Sequence, residues 1–248
     1  MKENQRKNGD KRSVLLFAIF ASMFLFSVFA VYAAPVNPDE WQSDSNLTKA
    51  AASNLSINIS GGVIAKFNVS ATVQNPRWKA FVGDVVGKFT LDSSTGDTIY
   101  DWTLSAVSGR VYASRHYADV DWSTIGCADN LEVESENSAM AHSGASDNIT
   151  ATFKDDSLSH DAFYVGGTLI SSCEYALNTY VNSNPQDSTY DEVVLSDAEG
   201  ELVYANIITD NAIGFDGSTY DFQMLVPENG TEGYSSSTPY YLYVEISS

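Results

Sequence analysis

Apolar and polar positions alternate with a period of two along most of this chain beyond residue 54. Such alternation predicts half-buried β-strands. The stretch from Trp78 to Tyr112 carries the pattern most fully. Phe89 and Leu91 alternate with polar neighbours before Ser94-Thr95-Gly96-Asp97, and Tyr100, Trp102 and Leu104 alternate after it. A half-buried hairpin is predicted here, with the rest of the chain arranged around it. Upstream, Leu55, Ile57 and Ile59 predict one strand, and Ala65, Phe67, Val69, Ala71 and Val73 predict another across Gly61-Gly62. Downstream, Leu131-Glu132-Val133-Glu134-Ser135-Glu136 reads as an edge-like strand with acids on one face. Residues 137–147 read as a loop, and Ile149, Ala151 and Phe153 as a further strand. Phe163 and Val165 begin another.

The C-terminal part is the most regular. Glu192 to Ser196 and Leu202 to Ile208 flank Asp197-Ala198-Glu199-Gly200-Glu201 as a second hairpin. Tyr220, Phe222, Met224 and Val226 predict one late strand, and Tyr240, Leu242, Val244 and Ile246 the last. No helical period longer than two turns stands out beyond the N-terminus. The expected fold is all-β, antiparallel and β-sandwich-like. Residues 54–248 are expected to form one domain behind a polar linker or arm, 34–53, with two halves split near 137–147 as the alternative. Leu91, Gly96 and Tyr100 match Leu195, Gly200 and Tyr204 as L-x4-G-x3-Y. Shared turn chemistry is the leading account of this, and two similar halves related by duplication are the alternative.

Residues 1–12 are polar and basic, and residues 14–34 carry no charge. Together they read as a secretory signal, residues 1–33, ending at Val31-Tyr32-Ala33. Two alternatives stand beside it. One is an uncleaved membrane anchor with the β domain outside. The other is a pilin-like leader, although Pro35 and Pro38 would stop its helix at once. All three put residues 35–248 outside the cytoplasm, secreted or on the cell surface.

The chain has 13 Lys and Arg against 32 Asp and Glu, a formal net charge of −19. Beyond residue 34 only Lys49, Lys66, Arg77, Lys79, Lys88, Arg110, Arg115 and Lys154 are basic. So anionic a surface repels phosphate backbones and excludes nucleic acid as a partner. Cys127 and Cys173 are the only cysteines. In an oxidising compartment they would pair, contributing about 2–4 kcal/mol.

Candidate chemistry is sparse. There is no H-E-x-x-H, no G-x-S-x-G and no phosphate-binding glycine loop. His116, His142 and His160 are too far apart in sequence to suggest a metal pair. No catalytic residue and no cofactor is expected, and the chain is read as a non-enzyme. Glu132, Glu134 and Glu136, with Asp119/Asp121, Asp155-Asp156 and Asp210/Asp216, offer the oxygen ligands Ca²⁺ prefers, but a solvated acidic face is the leading reading. Six N-x-[ST] sequons, at Asn46, Asn54, Asn58, Asn68, Asn148 and Asn229, are glycosylation candidates. Tyr241 and Tyr243 fall opposite the Leu242/Val244 face, so they are expected to be exposed and are the candidates for stacking on a sugar.

The block W-x2-F-x-G-x-V-x-G-x3-L-D-x3-G-x3-Y-x-W is built here from Trp78, Phe81, Gly83, Val85, Gly87, Leu91, Asp92, Gly96, Tyr100 and Trp102. It resembles a group of archaeal secreted, β-rich cell-surface proteins. Gly214-Phe215-Asp216-Gly217 with Tyr220-Asp221-Phe222, and Tyr240-Tyr241-Leu242-Tyr243-Val244-Glu245, add to the resemblance. It implies location and fold, and no site residues. The expected function is an extracellular structural subunit of a filament, a pilus-like fibre or a surface layer, self-associating as a homo-oligomer or polymer. Its arm, with Leu55, Ile57 and Ile59 inserted, would add as a strand to the next copy. A glycan-binding adhesin is the second reading and a secreted hydrolase the third. The membrane is a partner only through an uncleaved N-terminal segment.

Overall fold

The computed structural model describes residues 34–39, 46–50, 60–62, 64–66, 70–117, 119–154 and 160–247. The N-terminal segment 1–33, the candidate inserted residues Leu55, Ile57 and Ile59, and Asp155-Asp156 lie outside the described residues. Contacts group Ala33–Ser248 as one compact unit. In chain order its elements are β1 (Trp78–Gly83), β2 (Lys88–Asp92), β3 (Thr98–Thr103), β4 (Ser108–Ser114), β5 (Gly126–Cys127), α1 (Asn130–Ala139) and α2 (Ile149–Phe153). They continue with β6 (Phe163–Val165), β7 (Thr168–Ile170), β8 (Ala176–Asn178), β9 (Asp191–Ser196), β10 (Leu202–Ile207), β11 (Ala212–Ile213), β12 (Thr219–Tyr220), β13 (Phe222–Pro227) and β14 (Tyr241–Ser247). The fold is all-β, with antiparallel sheets and two short helices among the described residues.

The main sheet has six strands, ordered β14-β4-β10-β9-β5, with β8 also on β9. Its middle strands read as near-continuous apolar runs, Val193-Val194-Leu195 and Leu202-Val203-Tyr204-Ala205, and such runs require cover on both faces. Both faces are covered. On one, Val111, Ala113, Val194, Leu202 and Tyr204 pack with Met224 and Val226 of β13 and with Val133, Ile149 and Phe153 of the helices. On the other, Tyr112, Val193, Leu195, Val203 and Ala205 pack with Val120, Ile125, Phe163, Val165 and Ile170. The Cys127–Cys173 disulfide is formed, with Cα atoms 5.2 Å apart, and ties β5 at the sheet's end to this second covering layer.

β13 pairs with β1 along one edge. Its other edge is met by side chains from the main sheet. Asn206 accepts from the Gln223 N–H at 3.2 Å and donates to the Gln223 carbonyl at 3.0 Å. Glu192 accepts from the Leu225 N–H at 2.8 Å. Two polar residues inside the sheet thus serve as substitute strand partners, because buried backbone groups must be paired.

Three expectations are corrected. Residues 131–136 are not an acid-faced strand; they lie within α1, which extends to 139 into the expected loop. Ile149 to Phe153 is α2, with Asn148 as its N-cap, and not a strand. The sequence signal for α1 is the capping box: Asp129 accepts from the Leu131 and Glu132 N–H groups while Glu132 accepts from the Asp129 N–H at 2.7 Å. Its buried positions, Val133, Glu136 and Asn137, have helical spacing, but two of them are polar, so apolar counting overlooks them. Finally, the Trp78–Tyr112 stretch is not the organising centre. Its hairpin, β2–β3, forms but pairs with no other strand among the described residues.

The two hairpins share a turn. Ser93 Oγ accepts from the N–H groups of Thr95 and Asp97, and Asp197 Oδ1 accepts from those of Glu199 and Glu201. Gly96 and Gly200 both adopt φ +86°, a conformation that favours glycine. The ladders differ, since Leu91 faces Tyr100 whereas Tyr204 faces Val194. Turn chemistry explains the shared pattern.

Glu192 is fully buried, and burial raises its pKa well above the ordinary glutamate value, only partly offset by the Leu225 N–H. Its Oε1 has no hydrogen-bond partner. With a raised folded-state pKa, the folded chain binds more protons than the unfolded chain above the unfolded value. The contribution of this group is therefore complete below that value and declines as pH rises toward the folded one. Glu192→Gln keeps an acceptor for Leu225 and removes the ionisation. In urea melts the variant should match wild type near pH 4.5 and exceed it at pH 8, where only wild type must keep a buried carboxyl protonated or bury its charge.

Candidate functional site

With β5 and β8 on the β9 side, the main sheet ends on the other side at β14. A strand at a sheet edge presents unpaired backbone groups, a template for another chain. Val36 occupies part of it. Its N–H donates to the Val244 carbonyl at 3.0 Å, and its carbonyl accepts from the Val244 N–H at 2.8 Å. This is one closely spaced antiparallel pair. Successive backbone groups point to opposite sides of a strand, so those of Leu242 and Ile246 face the same edge as those of Val244. Continuing the register sets Pro38 opposite Leu242, and proline has no N–H to donate. The pairing stays a single bridge. Pro35, buried beside Val36, likewise offers no N–H to a further strand on the arm's outer side.

The second exposed feature is the β2–β3 ribbon. Phe89 faces Trp102 and Leu91 faces Tyr100, so these four apolar side chains share one face. Leu91 is 57%, Tyr100 61% and Trp102 50% exposed. The Tyr100 and Trp102 rings meet edge to face with centroids 4.9 Å apart. The opposite face carries the Lys88–Asp101 pair, 3.1 Å apart, and Ile99, which is exposed. At its root the ribbon leans on the edge strand: a Cβ added at Gly87 would collide with the Ile246 side chain. An isolated two-stranded ribbon is marginally stable in water, so this arrangement leaves apolar surface that a partner can cover.

The sequence candidates distribute unevenly. Tyr241 is exposed and packs on Tyr117, ring centroids 4.7 Å apart. Tyr243 is not exposed, contrary to expectation. It is 5% accessible, lies edge-on to Trp122, and donates its hydroxyl to the His116 carbonyl at 3.3 Å. Alternation placed it correctly opposite Leu242; the second covering layer buries it. Glu132, Glu134 and Glu136 have separate partners: Ser196 and the cap for Glu132, Thr150 for Glu134, and Arg115 for Glu136. Among the described residues no group of three or more His, Cys, Asp or Glu is placed to hold a metal. His142 is buried with Nε2 on the Glu228 carbonyl, and His116 pairs with Glu201. Among the described residues no helix is long and apolar enough to cross a membrane.

Val36 was not singled out by sequence reasoning. The signal present was its setting between Pro35 and Pro38, since Ala34 and Asn37, the residues before each proline, are held extended and keep the segment out of a helix. The bareness of the ribbon had no signal, because an amphipathic hairpin reads the same whether or not something covers it. Compared with protein-family models, curated proteins and solved structures, the chain finds no match.

Three sequons are described. Asn46 is exposed along with Leu47 and Thr48. Asn148 caps α2 through its Oδ1, which accepts from the Ala151 N–H at 2.7 Å, and Thr150 Oγ donates to Glu134 at 2.6 Å. Asn229 accepts from the Thr231 N–H at 2.9 Å and is half-buried. Asn54, Asn58 and Asn68 lie outside the described residues. In a host that glycosylates, glycopeptide mass spectrometry should find Asn46 modified and Asn148 bare. Asn148→Ala should cost about 1 kcal/mol in a urea melt through loss of the cap.

Proposed function

We propose that the protein is a structural subunit of an extracellular assembly on the cell surface, a filament, pilus-like fibre or surface layer, joined by strand addition between copies. The observation that carries this reading is the Val36–Val244 bridge. The segment directly behind the apolar N-terminal run adds to the open edge of the main sheet, and it does so through one pair of hydrogen bonds. Two backbone bonds contribute about 1–3 kcal/mol net, which a fluctuation can break. The freed edge then accepts the same segment from a neighbour, with Leu55, Ile57 and Ile59 as further inserted residues. The contact is head-to-tail, so it propagates as an open chain of subunits. The intact disulfide, the anionic composition and the resemblance in sequence to β-rich surface proteins all fit a location outside the cytoplasm.

A second reading is favoured by one specific feature. The exposed Tyr117–Tyr241 pair offers two aromatic faces for stacking on a glycan, as an adhesin or carbohydrate-binding module would use.

Electron microscopy and sedimentation of the chain from Ala34 to Ser248, with and without Ca²⁺, test the first reading. Regular assemblies are expected. A chain lacking residues 34–60 should stay monomeric. Val36→Pro, which cannot donate to Val244, should raise the concentration needed for assembly about tenfold, equivalent to about 1.4 kcal/mol. Assembly by the shortened chain, or a dispersed monomer from the complete one under both conditions, overturns the reading. Glycan retention lost on Tyr241→Ala by such a monomer would favour the second.

A further inference from the structure

We propose that the apolar face of the β2–β3 ribbon is the second contact of the same assembly, and that its occupant is the copy of this chain whose arm lies on β14. This rests on the strand-addition reading and names a further part of its interface. The face consists of Phe89, Leu91, Tyr100 and Trp102. Phe89 is half-buried, whereas the other three are half bare or more on a ribbon with no strand beside it among the described residues.

Three arguments converge on a second copy. The first is continuity. Gly87 at the root of β2 lies against Ile246 of β14, and Ile246 is two residues from the Val244 that receives the arm. A neighbour whose arm lies along β14 therefore comes up beside the ribbon. The second is size. Aromatic side chains bury about 150–250 Å² each, so the bare parts of Leu91, Tyr100 and Trp102 amount to on the order of 300 Å². A stable interface needs about 800 Å² from each partner. The ribbon face is too small to hold a partner alone, and so is a single β-bridge, but the two are adjacent and supplement one another. The third is charge. The ribbon's polar face and tip carry Asp92, Asp97 and Asp101 against Lys88, on a chain of net charge −19. Two such surfaces repel except where they are uncharged, and the face of Phe89, Leu91, Tyr100 and Trp102 is uncharged.

Hydrogen exchange with mass spectrometry on the full chain, dispersed and assembled, reads this contact through peptides covering Lys88 to Thr103. Exchange there should slow at least tenfold on assembly, since a ribbon held on one face by a neighbour opens less often. Tyr100→Thr and Trp102→Thr keep strand-forming residues while removing the apolar face. Each should raise the assembly threshold about tenfold with the far-ultraviolet circular dichroism unchanged. Val86→Thr, a barer position outside the paired strands, should leave it unmoved. If the wild-type chain assembles with ribbon exchange unchanged and both variants assemble at the wild-type threshold, the ribbon contact is wrong and strand addition stands. If the wild-type chain never assembles, both fail. Slowed ribbon exchange in a dispersed chain on adding glycans, without assembly, assigns the face to a sugar and also overturns the proposal.

Discussion

Burial of both faces of β10 is the constraint on which the rest of the structure depends. Tyr204 and Leu202 point into one core, Val203 and Ala205 into the other, and all four are essentially inaccessible. A strand covered on both sides needs two separate layers, and this chain supplies them differently. One is the β1–β13 pair with both helices. The other is made largely of loops, with the short β6–β7 pair. A loop layer has few backbone bonds of its own to hold it, which is where the Cys127–Cys173 bridge acts. The polar side chains that enter these cores do so to pair backbone that no strand reaches, as Glu192 and Asn206 do for β13.

This arrangement also decides where the molecule is incomplete. On the β9 side the sheet is finished by β5 and β8. On the β14 side a single residue of the arm pairs, between prolines that stop both its own ladder and further addition. An edge so guarded is protected against indiscriminate pairing. The ribbon beside it keeps apolar surface on a strongly anionic body, and the charge limits nonspecific association elsewhere.

Several of the acids among the described residues have structural roles. Asp197 organises a turn and also accepts from the Asp121 N–H, Asp129 and Glu132 cap α1, Glu136 holds Arg115 in a two-point pair, and Glu245 accepts from the Tyr112 hydroxyl. Their number in the sequence read first as a solvated acidic face, with Ca²⁺ ligation as the lesser reading. Their positions show turns, caps and buried pairs, because carboxylates satisfy loose N–H groups better than any other side chain.

Local pattern alone determined the all-β class, both hairpins with their glycine turns, the last two strands and the pairing of the two cysteines. These features depend on period-two alternation, on φ above zero at glycine, and on there being one partner for each thiol. Several features were decided only in three dimensions. The alternation of residues 131–136 became helix because the Asp129–Glu132 box and the buried Arg115–Glu136 pair outweigh a strand pattern five or six residues long. Tyr243 was buried and Tyr241 left bare because the covering loops extend over only part of the sheet, which no property of β14 itself encodes. The ribbon had the sequence of a half-buried hairpin and the environment of an exposed one. Amphipathicity states that one face will be covered. Only the packing of the whole chain shows which apolar side chains stay uncovered, here Leu91, Tyr100 and Trp102.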